Sequence, residues 1–331
     1  MVDMWTPLLP LLLACCLIPL VACVGPLGGA SAVPDGPYVL VLGAAQDGGL
    51  PQLACECPRC AAAREDPARG DFVVALLLVD PRDGRRWLFE ATPDLVQQVE
   101  LARGHGAQRV GQGTRPALFD GVFITHAHTG HYTGLLRFGR EGYGSERTRV
   151  HGTPRLLEFL RGNGPWGLLF EAGHIEGVPL AAGERVQLAA DLAVSAIGVP
   201  HRGEYSDTLA FRIEGPERSL LFLPDIDKWD RWRTPVEEEI EKVDFALLDG
   251  TFYSGAEIPG RDMSEIPHPF IVESIERFAA LSRAERAKVQ FLHLNHSNPV
   301  NDPGSDASRA VGEAGHGVAR RGMVYDLGTS R

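Results

Sequence analysis

The sequence predicts a layered α/β fold built as one domain. Short apolar runs of about 4–8 residues alternate with amphipathic segments from residue 38 onward, a pattern typical of buried strands interleaved with helices. No linker and no internal repeat separates them. Hydrophobic residues make up 44% and charged residues 23% of the 331-residue chain, which is close to average globular usage and excludes a disordered, collagen-like or coiled-coil protein.

The N-terminus carries an apolar run that we interpret as a targeting signal rather than as part of the folded domain. Residues 8–22 have the length of an export signal and are too short, and too interrupted by prolines, for a membrane span. Small residues precede Cys23, which resembles a bacterial lipobox. We predict a signal peptide over residues 1–22, a Gly- and Pro-rich tether over 23–37 and the folded domain over 38–331. The protein would then be exported and lipid-anchored on the periplasmic or cell-surface side. An uncleaved anchor or a misplaced start is the alternative.

Nine strands and five helices are predicted in the domain. The strands cover residues 38–42, 72–79, 87–90, 118–125, 192–199, 209–213, 219–223, 245–248 and 289–294. The helices cover residues 93–103, 132–140, 154–161, 235–242 and 269–281; several begin with proline in the first turn, where the missing N–H costs nothing. Many titratable residues follow the strands directly, where loops on a rigid scaffold carry catalytic groups.

Acidic residues outnumber basic ones in this chain. The 43 Asp and Glu against 32 Lys and Arg give a formal net charge of −11, which disfavours nucleic acid as the main partner because phosphates are repelled. We expect a small-molecule substrate, for which an anion is a candidate, although the overall charge does not steer one toward the protein.

A cluster of histidines follows the predicted strand 118–125. His126, His128 and His131 lie within six residues of one another, out of 11 histidines in the chain. Imidazole is a suitable ligand for Zn, Fe or Mn, and histidines at one turn can share an ion. Chance clustering on a surface turn is the alternative, which so dense a group disfavours. The sequence therefore predicts a metal site.

The order of these motifs resembles the metallo-β-lactamase superfamily, whose signature His-x-His-x-Asp-His follows a strand. Further metal-binding residues follow strands in that superfamily's order over roughly residues 38–300. The resemblance implies a four-layer αββα sandwich with metal ions at its edge. Its implied first-site ligands are His126, His128, His201 and Asp225. Its implied second-site ligands are His131, His293 and the shared Asp225.

Gly130 stands where the superfamily signature has aspartate. The change removes one ligand and one negative charge from the second site, so we expect a single ion or an unequal pair. Asp227, two residues after Asp225, is a candidate replacement. Asp47 and Asp249 are interpreted as turn residues or as residues that orient ligands.

Two families of the superfamily resemble the chain further: pyrroloquinoline quinone biosynthesis protein B and the phosphoribosyl cyclic-phosphate phosphodiesterases. The supporting segments are residues 41–52, 55–60, 91–95 and 248–251. The first family is the more similar in motif order and length. Its resemblance implies Fe(II) and oxygen activation, whereas the second implies hydrolysis.

Three cysteines in one loop predict a structural zinc site. Cys55, Cys57 and Cys60 have zinc-like spacing, and the resemblance to the phosphodiesterases implies His296, three residues past His293, as the fourth ligand. A disulfide is the alternative, but it leaves one thiol unpaired and strains a very small ring. The other three cysteines lie in the N-terminal run, so a disulfide framework is excluded.

Two further residues are candidates for contact with substrate. His268, at the entrance of the predicted helix 269–281, corresponds in position to the general-acid histidine of the phosphodiesterases; a capping or surface histidine is the alternative. Arg202 follows His201 and suits a carboxylate or phosphate, or is a solvated surface charge. The remaining histidines interpreted as surface or loop residues are His105, His151, His174 and His316.

These observations together predict a metal-dependent hydrolase. A bound ion lowers the pKa of water from ~15.7 to about 7, and the metal-bound hydroxide attacks an ester or phosphodiester while His268 protonates the leaving group and Asp225 holds the ion. Zinc is expected in the structural site and Zn, Mn or Fe in the active site. The alternatives are an iron oxygenase of pyrroloquinoline quinone biosynthesis and a lipid-anchored metal-binding protein without activity.

Overall fold

The computed structural model describes Met1, residues 33–106 and residues 118–329. The predicted signal peptide, the lipobox around Cys23 and most of the tether lie outside the described residues, so those assignments stay predictions. Within the described part of the chain, no helix has the length and apolar character needed to cross a membrane.

Fourteen strands of the described residues form two mixed sheets of seven strands each. The first sheet contains β1 (Tyr38–Gly43), β2 (Ala75–Asp80), β3 (Arg85–Phe89), β4 (Gly121–Phe123), β5 (Thr148–Gly152), β6 (Ile175–Pro179) and β14 (Val324–Asp326), in the order β14-β1-β2-β3-β4-β5-β6. The second contains β7 (Arg185–Ala189), β8 (Leu192–Val199), β9 (Thr208–Glu214), β10 (Ser219–Leu223), β11 (Phe245–Asp249), β12 (Val289–Leu292) and β13 (Gly317–Val318), in the order β13-β12-β11-β10-β9-β8-β7.

Helices cover the outer face of each sheet. On the first sheet lie α2 (Leu95–Leu101), α3 (Thr129–Tyr132), α4 (Pro154–Gly162) and α5 (Trp166–Glu171). On the second lie α6 (Val236–Glu241), α7 (Ile271–Phe278) and α9 (Asp306–Glu313). Two more helices of the described chain are α1 (Pro58–Glu65) and α8 (Arg283–Lys288). The predicted four-layer αββα arrangement is confirmed.

The strands are apolar on both faces because one face packs against the other sheet and the opposite face packs against helices. Along β1, Val39 and Val41 pack between the sheets, whereas Leu40 and Leu42 pack under the helices. Strands buried on both sides read as continuous apolar runs rather than alternating ones. Aromatic rings fill the middle layer, where Phe89 stacks on a neighbouring phenylalanine with ring centroids 4.9 Å apart.

Strand direction places several strand ends at one edge of the sandwich. In the first sheet β1 and β3 are each antiparallel to β2, and β4 is parallel to β3, so β1 and β4 end on the same side. In the second, β8 and β10 are each antiparallel to β9, and β11 and β12 run parallel to β10. The loops after β8, β10, β11 and β12 therefore also meet at one edge.

Some predicted elements differ from the structure. The strand predicted from residue 72 begins at Ala75, because Val73 instead forms an isolated bridge with Ala45. The helix predicted over 132–140 is α3 followed by a 3₁₀ segment, Thr133–Phe138. The interpretation as a surface or loop residue is wrong for His151, which lies within β5 and is 5% exposed, whereas His316 lies in a loop but is only 6% exposed. Burial of His151 lowers the pKa of its imidazole to about 4.

Candidate metal centre

Nine side chains with metal-binding atoms converge at the edge where these strands end. Their atoms form three overlapping groups, and within each group they lie within 4.8 Å of one another. The first group is His126, His128, His201 and Asp225. The second is Asp47, His131, Asp225 and His293. The third is Asp225, Asp249 and His268. Asp225, which follows β10, is common to all three.

The first group has spacings that fit a shared ion. Nδ1 of His128 lies 2.7 Å from Nε2 of His126 and 3.3 Å from Nε2 of His201. The carboxylate of Asp225 lies 3.5 Å from Nε2 of His126 and 3.6 Å from Nε2 of His201. A tetrahedral ion with ligands at ~2.0–2.1 Å separates its ligand atoms by about 3.3–3.4 Å. Three of the four separations are close to this value.

The second group is similar in size but richer in carboxylate. Nε2 of His131 lies 3.1 Å from Oδ1 of Asp47 and 3.1 Å from Oδ2 of Asp225. Nε2 of His293 lies 3.6 Å and 3.4 Å from the same two oxygens. The carboxylate near Gly130 is thus that of Asp47, which sequence reasoning interpreted as a turn or orienting residue.

Asp227, the predicted replacement at this position, has other partners. Its Oδ1 lies 3.4 Å from Nδ1 of His201, and its Oδ2 accepts a hydrogen bond from Arg231 at 2.8 Å. It therefore supports a histidine of the first group and is not a member of the second. The hypothesis that Asp227 replaces the carboxylate missing at position 130 is wrong.

Each histidine of the first two groups has a polar group close to its outer ring nitrogen, which for His131 and His201 is a carboxylate within ion-pair distance that makes no hydrogen bond. The contacts are Thr125 Oγ1 to His126 at 2.9 Å, Glu204 to His128 at 3.2 Å, Glu90 to His131 at 3.3 Å, Asp227 to His201 at 3.4 Å and Thr251 Oγ1 to His293 at 2.8 Å. Such partners fix the orientation of a ring and turn its inner nitrogen toward the common point. Sequence reasoning missed Glu90, although it directly follows β3.

Unsatisfied polar atoms show that a cation fits here. Among the described residues, Oδ1 of Asp47, Nε2 of His131, Oδ1 of Asp225 and Nε2 of His293 are buried without a hydrogen-bond partner. A buried polar atom left unpaired costs about 1–3 kcal/mol, which a bound ion offsets. Burial alone would raise the pKa of Asp225, but the imidazoles of His293 and His201 hold that pKa well below its usual value.

The pKa values of the buried histidines differ between the two groups. Burial lowers the pKa of His126 well below its usual value, which leaves the neutral imidazole that binds metals. Burial alone would also lower the pKa of His131, but Glu90, Asp225 and Asp47 raise it well above its usual value. The second group therefore attracts positive charge, either as a proton or as a metal ion.

His268 lies beside the first group and forms a pair with Asp249. Its Nδ1 is 2.8 Å from Oδ2 of Asp249 and 3.3 Å from Oδ1 of Asp225. Burial alone would lower the pKa of His268, but the charge of Asp249 raises it to about 9. The residue precedes α7 by three positions, because the helix predicted from residue 269 begins at Ile271. A histidine with this pKa carries a proton at neutral pH.

The three cysteines of the 55–60 loop surround His296, as predicted. Nδ1 of His296 lies 3.5 Å from the Sγ of Cys55, 3.7 Å from that of Cys57 and 3.5 Å from that of Cys60. A tetrahedral zinc with Zn–S of ~2.3 Å and Zn–N of ~2.0–2.1 Å separates sulfur from nitrogen by about 3.6 Å. The cysteines are free, not disulfide-bonded, so the geometry favours zinc.

Ionisation of the thiols also favours a cation at this point. Burial alone would raise the pKa of Cys57, but hydrogen bonds from the N–H of Cys60 and from His296 lower it to about 6. Burial, together with its neighbouring sulfurs, raises the pKa of Cys60 to about 12. Without an added positive charge, the sulfurs cannot all become thiolates, whereas a divalent ion allows it.

A cavity of about 540 Å³ opens beside the first group. His201 is part of its wall, together with Arg231, Arg233 and Trp232. Arg202, predicted as an anion contact, does not line this cavity. Its Nη1 instead lies 3.5 Å from Oε1 of Glu204, at an exposed position.

Known proteins share this architecture. A β-lactamase superfamily domain matches residues 85–294. Coenzyme PQQ synthesis protein B of Methylobacterium nodulans is 30% identical over 311 residues, covering 87% of this chain and 99% of that protein. Zn(2+)-bound PqqB from Methylobacterium extorquens superposes with a TM-score of 0.74 at 22% identity, covering 88% of this chain and 100% of that one. A diphosphatase from the PhnP family gives a TM-score of 0.61 at 19% identity, with coverages of 87% and 96%.

Proposed function

Since this chain belongs to the β-lactamase superfamily, and within it to the family of coenzyme PQQ synthesis protein B, we propose that it is a metal-dependent hydrolase acting on an ester or phosphodiester of a small substrate. The observation that carries this proposal is the convergence of His126, His128, His201 and Asp225 on one point at the strand ends. Imidazoles and a carboxylate at this spacing suit a catalytic divalent ion.

The chemistry divides between the ion and the chain. When bound, a divalent ion supplies an acidified water and polarises the carbonyl or phosphoryl oxygen of the substrate. Asp225 and the three histidines fix where that ion stands. Hydrogen bonds with Thr125 and Glu204 keep the rings of His126 and His128 turned inward, and the carboxylate of Asp227 lies 3.4 Å from Nδ1 of His201. His268, paired with Asp249 at 2.8 Å, holds a proton next to this point and delivers it to the leaving group.

The cavity beside His201 indicates where the rest of the substrate lies. Arg231 and Arg233 contribute to its wall, together with Asp207. Since Arg231 already donates to Asp227 at 2.8 Å, Arg233 is the guanidinium that we expect to bind a carboxylate or phosphate through paired hydrogen bonds. A small anion therefore fits the local charge, although the net charge of the whole chain is −11. We propose an anionic substrate that enters through this cavity.

Turnover of a substrate panel tests the proposal. The purified full chain, loaded with Zn or Mn, is offered phosphodiesters, thioesters and lactones. We expect hydrolysis of at least one class, lost on chelation and in His128→Ala, because that substitution removes a ligand of the first group. If no substrate is hydrolysed at an enzymatic rate with either metal, the hydrolase proposal is wrong and the non-catalytic alternative is favoured.

The role of His268 gives a sharper prediction. His268→Gln should lower kcat by about 100- to 10,000-fold for substrates with poor leaving groups, the range for loss of a general acid. Substrates with an activated leaving group such as 4-nitrophenolate should be affected much less, since they leave without protonation. Kinetics on both kinds of substrate, with metal content measured alongside, make the comparison.

A matched control is His174→Gln. His174 directly precedes β6, at the edge opposite the strand ends, where its Nδ1 contacts the carbonyl oxygen of Ser145 at 2.8 Å. Its replacement should leave kcat unchanged. Equal losses of kcat for both kinds of substrate in His268→Gln would show that His268 is not the proton donor.

A second candidate function is iron-dependent oxygen chemistry in the synthesis of coenzyme PQQ. It is favoured by the relative from Methylobacterium nodulans, whose length this chain covers almost completely, and three imidazoles with a carboxylate also suit non-haem iron. Metal analysis of anaerobically purified protein, together with oxygen consumption, separates the two. Iron with oxygen uptake favours this candidate, and zinc or manganese without oxygen uptake favours the hydrolase.

A further inference from the structure

Any residue larger than glycine at position 130 would clash with Asp47. A Cβ atom added to Gly130 would lie 2.3 Å from Oδ1 of Asp47 and 2.8 Å from both its Cγ and its Cα. Real Cβ atoms do not approach other heavy atoms so closely. The carboxylate of Asp47 therefore occupies the space in which a side chain at position 130 would begin, and glycine is required there for that reason.

We propose that Asp47 supplies the carboxylate ligand of a second metal ion, in place of the side chain that position 130 lacks. The other ligands are His131, His293 and the shared Asp225. Nε2 of each histidine lies 3.1–3.6 Å from the oxygens of Asp47 and Asp225. The inference rests on the proposed function for its first ion. It replaces the expectation of a single ion or an unequal pair with that of two fully ligated ions.

Main-chain hydrogen bonds hold Asp47 against the segment that carries His293. The N–H of Gln46 donates to the carbonyl of Leu294 at 2.9 Å, and the N–H of Leu294 donates to the carbonyl of Ala44 at 2.8 Å. The turn closes on itself where the N–H of Gly49 donates to the carbonyl of Gln46 at 2.7 Å. The carboxylate is thus presented from a fixed backbone rather than from a free loop.

The negative charge of the second group and its unpaired buried polar atoms also indicate a cation. Two carboxylates and two imidazoles face one another, and Glu90 backs His131 at 3.3 Å. Oδ1 of Asp47, Nε2 of His131 and Nε2 of His293 are all buried without a hydrogen-bond partner in the described chain. Because Asp47 presents the unpaired oxygen to both ring nitrogens, an ion between them would satisfy all three atoms at once.

Metal content of two variants tests the inference. Full-length protein is loaded with zinc, freed of excess ion and counted by plasma mass spectrometry. The wild type should hold three ions per chain, one with the cysteines and two at the strand ends. Asp47→Asn, which keeps the volume but removes the charge, should hold two. The affinity for the lost ion should fall at least ~10- to 100-fold, because replacing even a hydrogen-bond partner of a metal ligand lowers metal affinity by that factor.

Gly130→Ala should disturb the same ion although it replaces none of the ligands. Its added Cβ would displace the carboxylate of Asp47, so it should also hold two ions. Asp262→Asn, at an exposed position, is the control and should keep all three. In cobalt-loaded samples the thiolate charge-transfer band should be equal in all four proteins, which shows that the cysteine site and the fold are retained.

The outcomes separate this inference from the proposed function. Three ions in Asp47→Asn would show two active-site ions that do not need Asp47, and only two ions in the wild type would show a single active-site ion. Either result would overturn the role of Asp47 and leave the metal hydrolase standing. A wild type that holds a single ion, with the cysteine site filled, would overturn both. Loss of one ion in both variants, with the control unchanged, supports the inference.

Discussion

Replacing Asp225 with asparagine is expected to empty the active site and to lower kcat/KM by at least about 1000-fold. Removing one transition-state donor already costs ~100- to 1000-fold, and Asp225 is common to all three groups of metal-binding atoms. Its loss also leaves the surrounding imidazoles without their central negative charge. Metal analysis and kinetics on the hydrolysed substrate make the measurement.

The cysteine site provides the internal control for this variant. Asp225→Asn should retain one zinc per chain, because Cys55, Cys57, Cys60 and His296 are untouched. Asp262→Asn, at the surface, should keep both full metal content and full activity. If Asp225→Asn kept its active-site ions, Asp225 would not be their shared ligand. If it lost them without losing turnover, the metal-hydrolase proposal would be wrong.

The ligands that the sequence predicts correctly are either close together in sequence or follow a strand with a clear apolar run. His126, His128 and His131 stand within one turn, so their spacing alone indicates a metal site. His201 and Asp225 follow β8 and β10, whose apolar runs predict both strands with the bounds that the structure has. The direction of these strands then brings the residues to one edge.

Asp47 could not be identified in this way because its partner position is 83 residues away. No local spacing connects Asp47 with Gly130, and Asp227 is the misleading candidate because it stands next to a ligand in sequence. A usable signal did exist. Asp47 follows β1 and the histidines follow β4, and the two strands end at the same edge of one sheet.

The elements that the sequence did not reveal lack a clear apolar pattern. β6 contains Gly177 and Pro179, both unfavourable in strands. β7 is exposed or half-buried throughout, and α8 buries none of its residues. Such segments take their conformation from the neighbours they pair with, so their own residues carry little information about it.

Replacing Cys60 with serine is expected to remove one zinc per chain and to lower Tm by on the order of 10 °C. The site joins two segments that are 236 residues apart, through Cys60 and His296. By the chain-entropy argument, a cross-link that closes so long a loop contributes about 5–6 kcal/mol. Each kcal/mol moves Tm by about 2–4 °C in a domain of 150–250 residues and by less in a larger one. Scanning calorimetry with metal analysis checks both numbers.

Glu56→Ala is the matched control, since Glu56 lies between two of the cysteines and its side chain is 85% exposed. It keeps every sulfur and should leave zinc content and Tm unchanged. The same two segments also carry Asp47 and His293, so loss of this zinc should loosen the second group before the first. A Cys60→Ser protein that melts like the wild type would contradict the cross-link. If its Tm falls but its active-site ions bind as tightly as before, the zinc stabilises the fold without positioning Asp47.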